Sequence, residues 1–204
     1  MKVFLFLLVY SLLIVGCSMK QRLVQQQNIN HEICDTTTFS SIAEAKKYPH
    51  CVKLFYLRER EYLNFPIEVI KFTEVEDLDL AFNKIDTLPK EIKALRRLKY
   101  LNLSHCSLSY ISPAIGTLDS LEELGLVYTK ITHLPSEICK LKQLRSLSLV
   151  GTNIATLPDC ICEMKNLESL GLSYHKGYPH IDSVQIKKLK RCLPNTYISF
   201  YEID

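Results

Sequence analysis

An α/β solenoid is expected from this 204-residue chain: an arc of stacked units with a parallel sheet on its concave side. Three observations lead there. Apolar residues recur every 23 positions, at Val52, Val75, Leu98, Leu121, Leu144 and Leu167. Each unit then carries an alternating apolar pair: Phe55/Leu57, Leu78/Leu80, Leu101/Leu103, Leu124/Leu126 and Leu147/Leu149. That alternation marks a short strand with one buried face. Finally, Pro66, Pro89, Pro135 and Pro158 recur at one place in the unit, with Ser112-Pro113 in the third. Proline has no N–H to donate, so it ends strand pairing and turns the chain. A unit this small cannot bury its apolar face alone, so its neighbours must stack on it.

The parts follow in chain order. Met1 to Gly16 has Lys2 and then an apolar stretch from Val3 to Val15. A stretch of 13 residues is too short to span a bilayer, which needs about 20. It suits the core of an export signal, which is removed. Residues 17–35 are polar, with Gln25-Gln26-Gln27, and form a flexible tether. Residues 36–51 form an N-terminal cap: Ser41-Ile42-Ala43-Glu44 has the pattern of a capping box and opens a short helix ending near Pro49. Residues 52–204 are the repeat region, five full units and a longer sixth. In the sixth, Asp182 to Leu193 has the period of an amphipathic helix, with Val184, Ile186 and Leu189 inward. Pro194-Asn195 stops it, and Tyr197-Ile198-Ser199-Phe200 supplies a closing strand.

One unit can be written L-x-x-L-x-L-x-x-N-x-I-x-x-L-P-x-x-I-x-x-L-x-x. Its seven apolar positions are apolar in all five full units, in a chain that is 47 % apolar. The pattern resembles the leucine-rich repeat family, of the 23-residue type with an LPxxI segment, over Val52 to about Asp204. The resemblance implies a concave parallel sheet and a non-catalytic binding role. The ninth position, Asn in the family, reads Arg60, Asn83, Cys106, Thr129, Thr152 and His175. Arg60 and His175 depart most, in the terminal units. The start also carries a resemblance. Ile14-Val15-Gly16-Cys17 is similar to the bacterial lipobox, which implies cleavage before Cys17 and a diacylglycerol on its sulfur. By similarity to enteric lipoproteins, Ser18 after that cysteine favours the outer over the inner membrane. The address is therefore a bacterial cell envelope, with periplasmic and surface faces both open.

Composition limits the functions available. A formal charge of +3 is too small to indicate nucleic acid. There is no P-loop, G-x-S-x-G, G-x-G-x-x-G or H-E-x-x-H, so no enzyme, cofactor or metal is expected. Of the eight cysteines, Cys34 and Cys51 flank the cap helix and are a candidate disulfide. Cys139 and Cys162, 23 apart, are a weaker candidate on adjacent rungs. Cys106 is expected to be buried at the ninth position.

Strand side chains alternate, so the residues between the core leucines face the concave surface. Tyrosine, arginine and aspartate, which anchor interfaces, gather in its N-terminal half, whereas the C-terminal half is serine and glycine. At the rim, Phe82, His105, Tyr128 and Tyr174 recur at equivalent positions. The candidate interface is Tyr56, Arg58, Asp79, Phe82, Tyr100, Asn102, His105, Tyr128 and Tyr174. Its expected ligand is a protein, bound by a monomer. The alternatives are a glycan stacked on the rim aromatics and a purely structural envelope role.

Overall fold

The computed structural model describes residues 38–175 and 181–203, apart from the side chains of 174–175 and 202–203. The export signal, Cys17, the tether and Cys34 lie outside the described residues. Eight parallel strands form one sheet: β1 (Thr38–Phe39), β2 (Leu54–Tyr56), β3 (Asp77–Asp79), β5 (Tyr100–Asn102), β7 (Glu123–Gly125), β8 (Ser146–Ser148), β9 (Ser169–His175) and β10 (Tyr197–Ile203), in that spatial order. A second sheet pairs β4 (Thr87–Leu88) with β6 (Tyr110–Ile111). The register repeats the sequence period, with Leu54, Asp77, Tyr100, Glu123, Ser146 and Ser169 abreast. Because the period is 23, equal residues stack and each core leucine meets its copies above and below. Phe55, Leu78, Leu101 and Leu147 are fully buried.

The outer wall is built from 3₁₀ turns: Ile67–Lys71, Lys90–Ala94, Pro113–Thr117, Ser136–Lys140 and Asp159–Glu163. Proline precedes four of them. In the third, Ser112 caps the turn by accepting from the Ala114 N–H at 3.3 Å. Its own N–H donates to Leu88 O at 3.1 Å, a bond proline could not make. The extra β4–β6 pairing sits beside this substitution.

The ninth-position side chains seal the turns to the core. Asn83 donates to Leu57 O and Leu80 O, both at 2.8 Å, and accepts from the N–H groups of Arg60 and Tyr62. Cys106 is buried as expected and donates its S–H to Leu80 O at 3.3 Å. Thr129 and Thr152 each donate to one carbonyl, Leu126 O and Leu149 O.

At the N-terminal end the cap forms as expected. Helix α1 (Ile42–Ala45) starts at Ser41, whose Oγ accepts from the Glu44 N–H at 3.1 Å. Strand β1, which no periodic signal announces, extends the sheet beyond β2. At the other end, helix α2 (Ser183–Cys192) starts at Asp182, and β10 pairs with β9 over its full length. The inward face of α2 differs from expectation. Leu189 is buried and Ile186 half-buried, but Val184 is 72 % exposed. Gln185 turns inward instead, bonding the backbone N–H and C=O of Leu157. The face therefore combines Leu189 and the half-buried Ile186 with Gln185, which anchors the helix by polar bonds to the strand-to-turn segment just before the last turn.

The cysteines also pair differently. Cys139 bonds Cys160 and Cys162 bonds Cys192. The expected Cys139–Cys162 bridge does not form, because the convex turns pack diagonally, 21 residues apart rather than 23. Gly116 shows the same offset: a Cβ there would stand 2.4 Å from Glu137 O. Cys51 is disulfide-bonded, while Cys34 lies outside the described residues.

Candidate functional site

Three features define the concave side and its rim. The first is a column of left-handed backbone. Glu59, Phe82, His105 and Tyr128 all have φ between 52° and 58°, and Gly151, next in the series, has 73°. Bulky side chains avoid this region at a cost of about 1–2 kcal/mol each. The stacked rungs enforce it. The N–H groups of Glu59, Phe82, His105 and Tyr128 donate to Ala81, Ser104, Val127 and Val150 of the next rung at 2.7–3.2 Å. The turn aims the rings at one another. Phe82 stacks on His105 at 4.3 Å with planes 7° apart, and His105 meets Tyr128 at 5.0 Å. Arg58 lies over the Phe82 ring as well, 5.2 Å from its centroid. At the far end Tyr128 lies against Gly151, where a Cβ would sit 2.6 Å from its ring. The sequence-predicted aromatic line thus exists from Phe82 to Tyr128: Phe82 and His105 stack, Tyr128 is tilted against His105, and both Phe82 and Tyr128 stay exposed. The Tyr174 side chain lies outside the described residues.

The second feature is a row of alternating charge just before the strands: Lys53, Glu76, Lys99, Glu122, Arg145 and Glu168. Lys99 pairs with Glu76 at 2.6 Å, and Arg145 lies between Glu122 and Glu168 at 4.0 and 3.3 Å. The row is neutral in sum. It was missed in the sequence reading, although its 23-residue spacing was available.

The third feature is the face itself. Asp79 and Asn102 end their strands. Asp79 Oδ1 accepts from the Ala81 N–H at 2.9 Å, and Asn102 Oδ1 accepts from the Ser104 N–H at 3.1 Å. Asp79 is only 7 % exposed, and its other oxygen is 3.5 Å from the Arg58 guanidinium. Both residues are thus largely committed to the fold. Asp77, two residues earlier on the same face, is the less satisfied carboxylate. Its Oδ2 accepts from the Tyr56 hydroxyl at 3.1 Å, while its buried Oδ1 has no hydrogen-bond partner. Burial raises its pKa above the ordinary carboxylate value; the Tyr56 bond opposes this, and Asp79 and Glu123 add to it. Tyr100 lies beside it, its hydroxyl pKa raised by burial and then by Asp79, Asp77 and Glu123. Glu123 follows Tyr100 in the same row and is exposed. Asp77 and Glu123 thus lie among the candidate residues on this face, beside Tyr100, and the sequence alone does not single them out.

Beyond Glu123 the floor is small: Gly125, Ser146, Ser148, Ser169 and Gly171. Strand β10 then presents Tyr197 and Tyr201, 72 % and 54 % exposed, opposite Ser169 and Ser173. The C-terminal half is therefore a trough between two tyrosine walls, not the open smooth surface its serines and glycines suggest.

The Leucine Rich Repeat family model matches residues 97–118, the stretch holding β5 and the third turn. The structure is similar to that of the Leptospira interrogans LRR protein LIC12759, with TM-score 0.62 and 26 % identity over 76 % of this chain. The fold is a leucine-rich repeat solenoid. The chain spans 44 % of the length of that leptospiral protein. The leucine-rich repeat ectodomain of the Arabidopsis thaliana receptor kinase GASSHO1/SCHENGEN3, in complex with CASPARIAN STRIP INTEGRITY FACTOR 2, aligns at TM-score 0.56 and 23 % identity, over 65 % of this chain and 16 % of that one. The functional domain of InlJ from Listeria monocytogenes, which includes a cysteine ladder, aligns at 0.54 and 16 %, over 76 % and 31 %. No curated protein matches the chain. Among the described residues no group of three or more His, Cys, Asp or Glu side chains could hold a metal ion, and no helix is long and apolar enough to cross a membrane.

Proposed function

We propose that this chain is a non-catalytic binding protein of the bacterial cell envelope, lipid-anchored at Cys17, whose concave leucine-rich repeat face holds a protein partner. The observation that carries the binding role is the trough between Tyr56/Tyr100 and Tyr197/Tyr201. Tyrosines make large contact area at low conformational cost and are frequent anchors of protein interfaces. Serines and glycines between them let another backbone come close. The plant neighbour's complex, a leucine-rich repeat ectodomain with a protein factor, agrees with this use of the fold. A glycan reading has less support. Sugars stack on ring faces, and the rings of Phe82 and His105 already stack on each other, with Arg58 over Phe82 and Tyr128 packed against His105 and Gly151. The 23-residue LPxxI pattern, the apolar stretch ahead of Cys17 and the Gly16-Cys17 junction support a bacterial lipoprotein of this repeat type, and Ser18 favours the outer over the inner membrane.

The test is photo-crosslinking in intact cells. A photoreactive side chain at Ser146, on the trough floor, should yield a discrete protein adduct, and one at Lys93, on the convex wall, should not. Equal labelling at both positions, or adducts of polysaccharide alone, would overturn the reading. Cys17→Ala should release the chain from the membrane fraction; unchanged attachment would remove the anchor from the proposal.

A further inference from the structure

The proposed concave interface also specifies the charge of its partner, an inference that rests on the protein-binding reading above. The chain as a whole carries +3, yet the concave face is acidic. The charged row beside the strands cancels, and Arg58 is matched by Asp79. Asp77 and Glu123 remain, and neither has a cation within ion-pair distance among the described residues. They flank Tyr100 in one register row. Strands lie about 4.8 Å apart, so the two carboxylates stand about 10 Å apart across the tyrosine. Asp77 has already lost water from Oδ1 without gaining a protein donor. Oδ1 is closed to solvent, so a partner's cation would meet the exposed Glu123 and the outer side of Asp77, where its charge would offset the repulsion from Asp79 and Glu123.

We infer that the concave face takes a protein segment bearing clustered basic side chains, which seat against Asp77, Tyr100 and Glu123. A guanidinium fits this setting best, because its planar fork of N–H donors matches a carboxylate and its plane can lie on the tyrosine ring. Two such side chains on one face of an extended segment, two or four residues apart, stand about 7 or 13 Å from each other, and their length lets them reach both carboxylates.

The experiment pans a phage-displayed random dodecapeptide library on the full chain and on the Asp77→Asn/Glu123→Gln variant. Both substitutions keep the side-chain shape, and the variant's melting temperature would be recorded alongside. Peptides enriched on the natural chain should carry arginine or lysine. They should bind at least tenfold more weakly to the variant, and weaken as salt is raised. Hydrogen exchange with the enriched peptides bound separates this idea from the one beneath it. Neutral or acidic peptides that protect β3, β5 and β7 would overturn the basic partner and leave the concave interface standing. Peptides that protect only the convex turns would overturn both. Basic peptides that bind the variant as tightly as the natural chain would overturn the role of Asp77 and Glu123.

Discussion

Gly151 shows most plainly how one position serves the rim. It needs a left-handed backbone and also gives Tyr128 the space to lie down. Gly151→Ala should therefore cost about 1–2 kcal/mol for the backbone, with a further penalty from the ring. In the double variant with Tyr128→Ala the ring penalty should vanish while the backbone cost stays. Denaturant melts of the four proteins of that cycle measure both, and full additivity would refute the packing account. Asn83 offers a second contrast. Its amide serves five backbone groups, while Thr129 serves one. Asn83→Ala leaves several buried groups unpaired and should cost about 2–4 kcal/mol, against about 1 for Thr129→Ala. Asp77 has a pH signature. Its folded pKa lies above its unfolded value, so the folded state binds the proton more readily. Stability contributed by this group thus falls as pH rises from the unfolded carboxylate value through the folded one. Asp77→Asn should melt higher than the natural chain at pH 7, and the difference should close by pH 3. A variant less stable at pH 7 would contradict the carboxylate's unfavourable setting.

The 3₁₀ turns and terminal caps decide how firmly the rungs stay stacked. Cys139–Cys160 and Cys162–Cys192 tie the fourth turn to the fifth and the fifth to α2. Their sequence separations are 21 and 30, and closing loops of such length restricts the unfolded chain by about 3–4 kcal/mol each. Helix α2 needs that help, since Leu189 is its one fully buried side chain and Gln185 its main polar anchor. Reduction should therefore loosen the C-terminal end first. Hydrogen exchange after treatment with a reductant should show lost protection in α2 and β10 before the central strands. Uniform loss along the solenoid would mean that the bridges do not set the local order of unfolding.

Across the molecule, stability passes from rung to rung, because each unit touches mainly its neighbours. Leu101, in the middle of the stack, has its copies on both sides. Leu101→Ala should cost about 2–5 kcal/mol, in the range for a buried leucine with little room to collapse, and should lower the denaturation midpoint of the whole solenoid. Two separated unfolding transitions would instead show that the N- and C-terminal halves fold independently. Charge is also distributed at this level: a paired row beside the strands, an acidic concave face, and a modest positive total.

Much of the molecule was readable from one period. A repeat of 23 assigns each leucine a place in the stack, and alternation within the unit says which side chains face in and which face the concave side. These are short-range rules, and β2, β3, β5, β7 and β8 obey them. The capping box of α1, the closing strand and the burial of Cys106 were legible on similar local grounds. The rest depended on contacts that a linear pattern does not encode. Cys139 paired with Cys160 along a 21-residue diagonal because adjacent convex turns are offset, which left Cys162 to Cys192. Helix α2 turned Gln185 rather than Val184 inward because a free carbonyl and N–H of Leu157 stood opposite. Phe82, His105 and Tyr128 closed on each other because a left-handed turn aims each ring along the solenoid. Asp77 and Glu123 came forward, and Asp79 and Asn102 receded into structural roles, once each oxygen's hydrogen-bond partners could be counted. Periodicity fixes which residues are neighbours; direction, offset and the satisfaction of polar atoms follow from how the rungs pack.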